Sequence, residues 1–291
     1  MARRLSSLPP LLSLPWWSDN ANVSSMQNDI QRCSERKHDP YMQIFAKLQT
    51  VASVCLSNEL EGTVPATHNA VDLYKCVESE LEYPSGAALP EPAPAWPAEG
   101  GHSETPTQAQ LQQHVRALVH LLNVSELTSA ELKTTHKTLM WGATDVTPGE
   151  YRNTSAHSGT GYVYPAPELI PAGVEGVLEA FRSDLALVNA GELDVNIMAA
   201  NLFYGMITLH PFQNGNGRLC GLLASYALQA AGDPFPVSLF NGRTKSRQHF
   251  QQALRYADTR CGSDNLVRLA AYILECRHFA WQNFIRNLQH Q

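Results

Sequence analysis

The chain has 291 residues, 44% of them hydrophobic and 16% charged, which is the balance of a globular protein with a sizeable core. Its net charge is -6 and it contains no basic run, which argues against DNA or RNA as the main partner. No stretch reaches the roughly 18 apolar residues that a membrane span needs. We therefore expect a soluble protein that binds neither nucleic acid nor membrane.

The six cysteines are spread along the chain and include no C-x-x-C pair. This spacing argues against a zinc site and a dense disulfide framework, and it favours a reducing compartment. The first residues, MARRLSSLPPLLSLP, have the arginines and leucines of a signal peptide, but Pro9, Pro10 and Pro15 interrupt the apolar stretch. We therefore expect a cytoplasmic location, with the nucleus as the alternative.

The N-terminal part divides into three segments by composition. Residues 1–40 match no recognisable pattern and stay unassigned, with disorder as one interpretation. Residues 41–82 form an N-terminal helical segment, because apolar residues recur at helical spacing over 41–56 and a second helix is predicted at 69–81. Residues 83–106 are rich in proline, glycine and alanine, which predicts a linker.

Helical periodicity dominates residues 107–291, with one interruption. The predicted helices cover residues 108–123, 128–141, 174–189, 195–209, 219–231, 245–258 and 265–288. Thr128 and Glu131 have the spacing of a capping box at the start of the second of these helices. The interruption, residues 147–171, holds three glycines and four prolines, and it predicts a projecting loop or hairpin. The fold class is therefore all-α, a helical bundle with one small β-hairpin.

The segment HPFQNGNGR, residues 210–218, joins two helices that are apolar around nearly their whole circumference. Such helices are buried, so the polar loop between them needs partners. Pro211 ends the first helix, Gly215 and Gly217 allow close backbone approach, and the start of the second helix attracts an anion. Arg218 suits phosphate oxygens and His210 suits proton transfer. The pattern favours a phosphate site with a general base over a glycine-rich turn whose histidine caps a helix.

This loop resembles the signature H-P-F-x-[D/E]-G-N-[G/K]-R of the Fic (Fido) family, and the resemblance covers roughly residues 108–258. It implies the Fic helical fold and transfer of AMP from ATP to a protein hydroxyl. It also implies that His210 is the base that deprotonates a Ser, Thr or Tyr of the target, and that Phe212 anchors the loop. The residues that the resemblance assigns to nucleotide binding are Gly215, Asn216, Gly217, Arg218, Arg247 and Tyr256.

Two positions depart from the family pattern. Asn214 stands at the acidic position that holds Mg²⁺ (or Mn²⁺) in the family, and Gly221 stands where many relatives carry a second arginine. An amide oxygen can ligate magnesium but brings no charge, so metal binding and turnover are expected to fall. The alternatives are a weak or inactive nucleotide-binding or interaction protein, and transfer of another nucleotide or phosphoryl-linked group. The oligomeric state is open, with a homodimer as one alternative.

The segment SNELEG, residues 57–62, fits the pattern [S/T]-x-x-x-E-[G/N] of the Fic inhibitory helix. Ser57 and Glu61 fall on one helix face, and Gly62 is a natural C-cap. The resemblance implies that Glu61 occupies the γ-phosphate region. With no arginine at position 221, we expect it to pair with Arg218. The alternative is a solvated helix end.

The stretch PGEYR, residues 148–152, followed by YVYP, residues 162–165, resembles the approach to the Fic flap. Tyr162, Val163 and Tyr164 have strand propensity. The resemblance implies that this flap aligns the target protein by main-chain pairing. A plain surface hairpin is the alternative.

Overall fold

The computed structural model describes residues 5–8, 23–60, 74–75, 77–79, 108–144, 146–158, 161–240, 246–259 and 265–289. Its helices are α1 (Val23–Ser34), α2 (Tyr41–Leu60), α3 (Gln108–Leu122), α4 (Ser129–Leu139), α5 (Ile170–Asn189), α6 (Val195–Leu209), α7 (Asn216–Ala230), α8 (Ser246–Thr259) and α9 (Val267–Gln289). A 3-10 turn, Pro167–Leu169, precedes α5. The only β pairing in these ranges is an antiparallel bridge between His157 and Val163. The predicted all-α fold is confirmed.

Helices α6 and α7 form the centre of the molecule and meet at the polar loop. Asp194 caps the start of α6, because its carboxylate accepts a hydrogen bond from the Asn196 N–H at 2.8 Å. Helix α5 packs closely on α6, and a Cβ atom on Gly173 would come within 2.7 Å of Leu209 Cδ1. Most side chains of α6 and α7 are buried, so the core holds both ends of the loop between them.

Helix α1 lies in the segment that the sequence left unassigned. Its apolar stripe, Val23, Met26, Ile30 and Cys33, is buried at helical spacing. Asp29 on its polar side contacts His278 of α9, with 3.0 Å between Oδ2 and Nε2. Residues 23–34 are therefore an ordered helix that belongs to the core.

Several helix boundaries differ from the predicted ones. Helix α7 begins at Asn216 rather than at residue 219, because Gly215 adopts a left-handed conformation (φ 77°) directly before it. Helix α5 begins at Ile170, and Pro171 falls in its first turn, where a missing N–H costs nothing. The linker and most of the predicted 69–81 helix lie outside the described residues, so the domain division stays a prediction. None of the helices within the described ranges is long and apolar enough to cross a membrane.

Candidate functional site

The loop at residues 210–218 is closed by its own asparagine. The Asn216 side chain accepts from the Phe212 N–H at 3.0 Å and donates to the Phe212 carbonyl at 2.7 Å. Phe212 is fully buried, which fixes the loop to the core. Both polar atoms of the Asn216 side chain are therefore used within the loop. Of Asn216, only the main-chain N–H remains available to contact a nucleotide.

The start of α7 faces a polar cavity of about 430 Å³. His210, Asn214, Gly215, Gly217 and Arg218 line one side of it, and residues 154–157 of the hairpin line the other. The first N–H groups of a helix have no partner within the helix and carry partial positive charge. Together with Arg218, which also lines the cavity, these groups make a surface whose charge is suited to an anion.

A second histidine, His136 of α4, packs against the loop and hydrogen-bonds to it. Its Nδ1 accepts from the Gly149 N–H at 2.9 Å, so its Nε2–H donates to the Asn214 carbonyl at 3.0 Å. The ring stacks on Phe212 with centroids 3.7 Å apart. Burial lowers the pKa of His136 to about 4, and the positive charge of Arg218 acts in the same direction. His136 is therefore a neutral positioning residue, which the sequence analysis did not identify.

Arg152 connects the hairpin to the loop. Its Nε donates to the His210 carbonyl at 2.7 Å, its Nη1 to Thr154 at 2.8 Å and its Nη2 to Pro165 at 2.6 Å. A longer bond, 3.4 Å, reaches the Leu209 carbonyl. Because carbonyls at a helix C-terminus carry partial negative charge, the buried guanidinium stabilises the end of α6 and the base of the hairpin together. Arg152 lies in the PGEYR stretch that resembles the approach to the flap, but that resemblance gave it no role of its own.

His210 itself adopts a left-handed conformation (φ 50°, ψ 59°) at the end of α6. Its ring stacks on Tyr164 of the hairpin, with centroids 4.0 Å apart and an angle of 14° between the planes. Burial and the positive charge of Arg152 lower the pKa of His210, the Ile207 carbonyl opposes them, and the net pKa is about 4. The imidazole is therefore neutral near pH 7 and able to accept a proton.

A second, mainly apolar cavity of about 280 Å³ adjoins the first. It lies between α2, α3, α6, α7 and α8, and His210 and Gly217 line both cavities. Ser57 of α2 and Gly221 of α7 also line it, and a Cβ atom on Gly221 would lie 4.0 Å from Ser57 Oγ. The structure thus brings Ser57 to the site, whereas Glu61 and Gly62 lie outside the described residues.

The structure does not bring Arg247 and Tyr256 to either cavity. Arg247 is exposed, and the ring of Tyr256 lies 4.0 Å from the Arg268 guanidinium. Phe250 and Leu254 are the side chains of α8 that line the apolar cavity. The resemblance placed this region beside the nucleotide but did not indicate which face of α8 turns inward.

Asn214 does not fit the role of a metal ligand. Its Oδ1 accepts a hydrogen bond of 2.5 Å from the Gly215 N–H. No carboxylate lines the polar cavity within the described ranges, and those ranges contain no group of His, Cys, Asp and Glu side chains suited to a metal ion.

The predicted hairpin is short. Ser158 N–H donates to the Tyr162 carbonyl at 2.8 Å, and Tyr164 N–H donates to the Ala156 carbonyl at 3.0 Å. Val163, which pairs with His157, is 70% exposed, and Tyr162 is 50% exposed. The hairpin therefore presents an apolar edge next to His210.

The chain has relatives among known proteins. Residues 126–228 match the sequence model of the Fic/DOC family. A Fido domain-containing protein of Dictyostelium discoideum is 30% identical over 144 residues, which are 50% of this chain and 96% of that protein. The protein adenylyltransferase Fic of Drosophila grimshawi is 27% identical over 140 residues, which are 48% of this chain and 28% of the relative. The match thus spans little more than a quarter of that adenylyltransferase.

Solved structures share the fold. Fic-1 (aa134–508) of C. elegans superposes with a TM-score of 0.64 at 19% identity, covering 92% of this chain and 72% of that one. At this identity the likeness establishes the helical architecture and leaves activity to be argued from the site.

Proposed function

Because the chain belongs to the Fic/DOC (Fido) family, we propose that it is a protein adenylyltransferase, which transfers AMP from ATP to a hydroxyl of a target protein. The observation that carries this proposal is the meeting of two unlike cavities at His210 and Gly217. The polar cavity suits the phosphates of ATP, and the apolar cavity suits its nucleoside. A nucleotide that spans both would bring its α-phosphate next to the imidazole.

The proposed reaction is an in-line displacement. A Ser, Thr or Tyr hydroxyl of the target gives its proton to the neutral His210 ring, and its oxygen attacks the α-phosphorus. The bond from that phosphorus to the oxygen bridging the α- and β-phosphates breaks, and pyrophosphate leaves. Arg218 and the N–H groups at the start of α7 offset the charge that develops on the phosphates. Tyr162, Val163 and Tyr164 of the hairpin hold the target segment beside His210 by main-chain pairing.

A second candidate is a nucleotide-binding protein with little or no turnover. The observation that favours it is the absence of a carboxylate in the described lining of the polar cavity, together with Gly221 where an arginine is expected. Magnesium or manganese would then be held mainly by the ATP phosphates rather than by Asn214. The same assay separates the two candidates.

The test uses ATP labelled on the α-phosphate, with Mg²⁺ or Mn²⁺ added. Label on protein that is lost in His210→Ala and kept in the control His120→Ala supports the adenylyltransferase. His120 is a suitable control because it lies away from both cavities and pairs with Glu131 at 2.9 Å. ATP binding without protein label supports the second candidate. Label transferred only from γ-labelled ATP would mean that the chain moves a different phosphoryl group.

We also propose that Glu61 inhibits the enzyme. Support comes from Ser57, four residues before it, which lines the apolar cavity opposite Gly221. Glu61→Gly is expected to increase auto-modification, whereas Glu59→Gly, the same substitution two residues earlier, is not. Equal auto-modification in wild type and Glu61→Gly would remove Glu61 from the regulation.

A further inference from the structure

Besides Nδ1 of His210, two buried polar atoms in the wall of the apolar cavity have no hydrogen-bond partner among the described residues. They are Nε2 of His114, on α3, and Oγ of Ser53, on α2. His114 is 1% exposed and Ser53 is 7% exposed, so bulk water does not satisfy them. A buried donor without an acceptor destabilises a protein. Such a group in a native structure calls for an explanation, and a bound ligand or an ordered water provides one.

The hydrogen on the His114 ring can be assigned from its neighbour. The Asn58 side-chain nitrogen lies 2.9 Å from His114 Nδ1 and also donates to the Val54 carbonyl at 2.8 Å. An amide nitrogen only donates, so Nδ1 of His114 is the acceptor and Nε2 carries the hydrogen. The cavity wall therefore contains a fixed N–H donor that lacks an acceptor.

This donor is uncharged, and the described lining of the cavity contains no charged side chain. Burial and, to a smaller extent, the positive charge of Arg218 together lower the pKa of His114 to about 3, so the ring is neutral. No Asp, Glu, Lys or Arg side chain lines this cavity within the described ranges. Phe203, Phe240 and Phe250 give it aromatic walls. A flat, neutral ligand with a hydrogen-bond acceptor fits this lining better than a phosphate does.

We propose that His114 Nε2–H donates a hydrogen bond to a ring nitrogen of the nucleobase and thereby contributes to selecting the nucleotide. This inference rests on the proposed nucleotide-binding function and adds a specificity-determining residue from α3 to it. Ser53 Oγ lies in the same wall and supplies a second polar contact to the nucleoside. The phosphates remain in the polar cavity, where Arg218 and the start of α7 are found.

The test replaces single atoms of the ligand. Binding of ATP is compared with binding of 1-deaza-, 3-deaza- and 7-deaza-ATP, each of which lacks one ring-nitrogen acceptor. In the wild type, one of these analogues is expected to bind about tenfold more weakly than ATP, the usual effect of one buried hydrogen bond. In His114→Phe, which keeps the ring and removes the N–H, ATP binds about as weakly as that analogue, and the difference between the two ligands disappears. His120→Phe on the same helix keeps the difference.

The outcomes separate this inference from the proposed function. Failure of the wild type to bind ATP at all would end both. ATP binding with all three analogues equal to ATP would overturn the assignment of His114 alone, and it needs no variant that could misfold. A loss in His114→Phe confined to ATP, with AMP unaffected, would also overturn it, since the contact would then be to a terminal phosphate.

Discussion

Four main-chain carbonyls accept hydrogen bonds from the buried Arg152 guanidinium, and this residue therefore holds His210 in place. Two of these carbonyls belong to Leu209 and His210, where α6 ends in a left-handed turn. The other two belong to the hairpin. A neutral side chain at position 152 would leave several carbonyls without a donor in a buried environment.

Arg152→Met is expected to lower the free energy of unfolding by about 2–4 kcal/mol, because charge-assisted hydrogen bonds to buried carbonyls are lost. Chemical denaturation measures this loss. Arg182→Met is the matched control, since Arg182 is partly exposed and pairs with Glu179 at 2.8 Å on the surface. Equal effects of the two substitutions would contradict the role given to Arg152.

The pKa of His210 leads to a prediction for activity. Its pKa lies at about 4 because the ring is buried next to Arg152. A base must be neutral to accept a proton, so kcat/KM is expected to stay constant between pH 7 and about pH 5 and to fall near pH 4. Labelling rates measured across this range test it. An acidic limb centred near 6.5, the ordinary value for histidine, would show that the ring is solvated in the active protein.

At the scale of elements, the start of α7 depends on one glycine. Gly215 has φ 77°, and a Cβ atom there would lie 2.7 Å from Met140 Sδ and 3.5 Å from His136 Nε2. The positive φ strains the backbone of any residue other than glycine, and the close contact displaces the Met140 side chain, which lies beneath the loop, whereas the distance to His136 is an ordinary contact. Both effects move the N–H groups that face the polar cavity.

Gly215→Ala is therefore expected to weaken ATP binding by at least about tenfold and to destabilise the fold by about 2–4 kcal/mol. Gly191→Ala provides the control, because Gly191 also has a positive φ, 73°, but nothing lies within 4 Å of its added Cβ. That variant bears the strain of about 1 kcal/mol without the clash. Titration with ATP and denaturant curves on both variants separate the two effects. Similar ATP affinity in both would show that the loop tolerates the contact.

The sequence predicted some elements and site residues accurately and missed others. Helix α6 was predicted with its observed bounds, because its apolar run is continuous and Pro211 marks its end. The pattern also singled out His210 and Arg218, which belong to one nine-residue segment and line the same polar cavity. It missed His136 and Arg152, whose partners in the loop lie 78 and 58 residues away. Contacts of this length depend on how helices pack, and local spacing does not encode them.

At the scale of the whole molecule, three buried, neutral histidines from different helices surround the site. His114 belongs to α3, His136 to α4 and His210 to the end of α6, and burial lowers the pKa of each from 6.5 to between about 3 and 4. Arg218 lies close enough to the first two to lower their pKa values, and Arg152 does the same for His210. The positive charges of Arg152 and Arg218 therefore add to the effect of burial in keeping these three histidines neutral.

This coupling predicts how stability depends on pH. In the unfolded chain these histidines bind protons as the pH falls through about 6.5, whereas in the folded chain they stay neutral down to about pH 4. Between these pH values the unfolded state binds up to three more protons than the folded state. The free energy of unfolding therefore has its full value above about pH 6.5 and decreases as the pH falls toward about 4. Each histidine contributes about 1.4 kcal/mol per pH unit in this window.

Urea denaturation at several pH values between 7 and 4.5 measures the slope. His136→Gln, whose amide can keep a contact to Asn214 or Gly149, is expected to lower the slope by about one proton relative to wild type. The exposed His38 gives the control, since His38→Gln removes a histidine without removing a buried one. If the two variants show the same slope, His136 is protonated as readily in the folded protein as in the unfolded chain, and its neutral role beneath the loop is wrong.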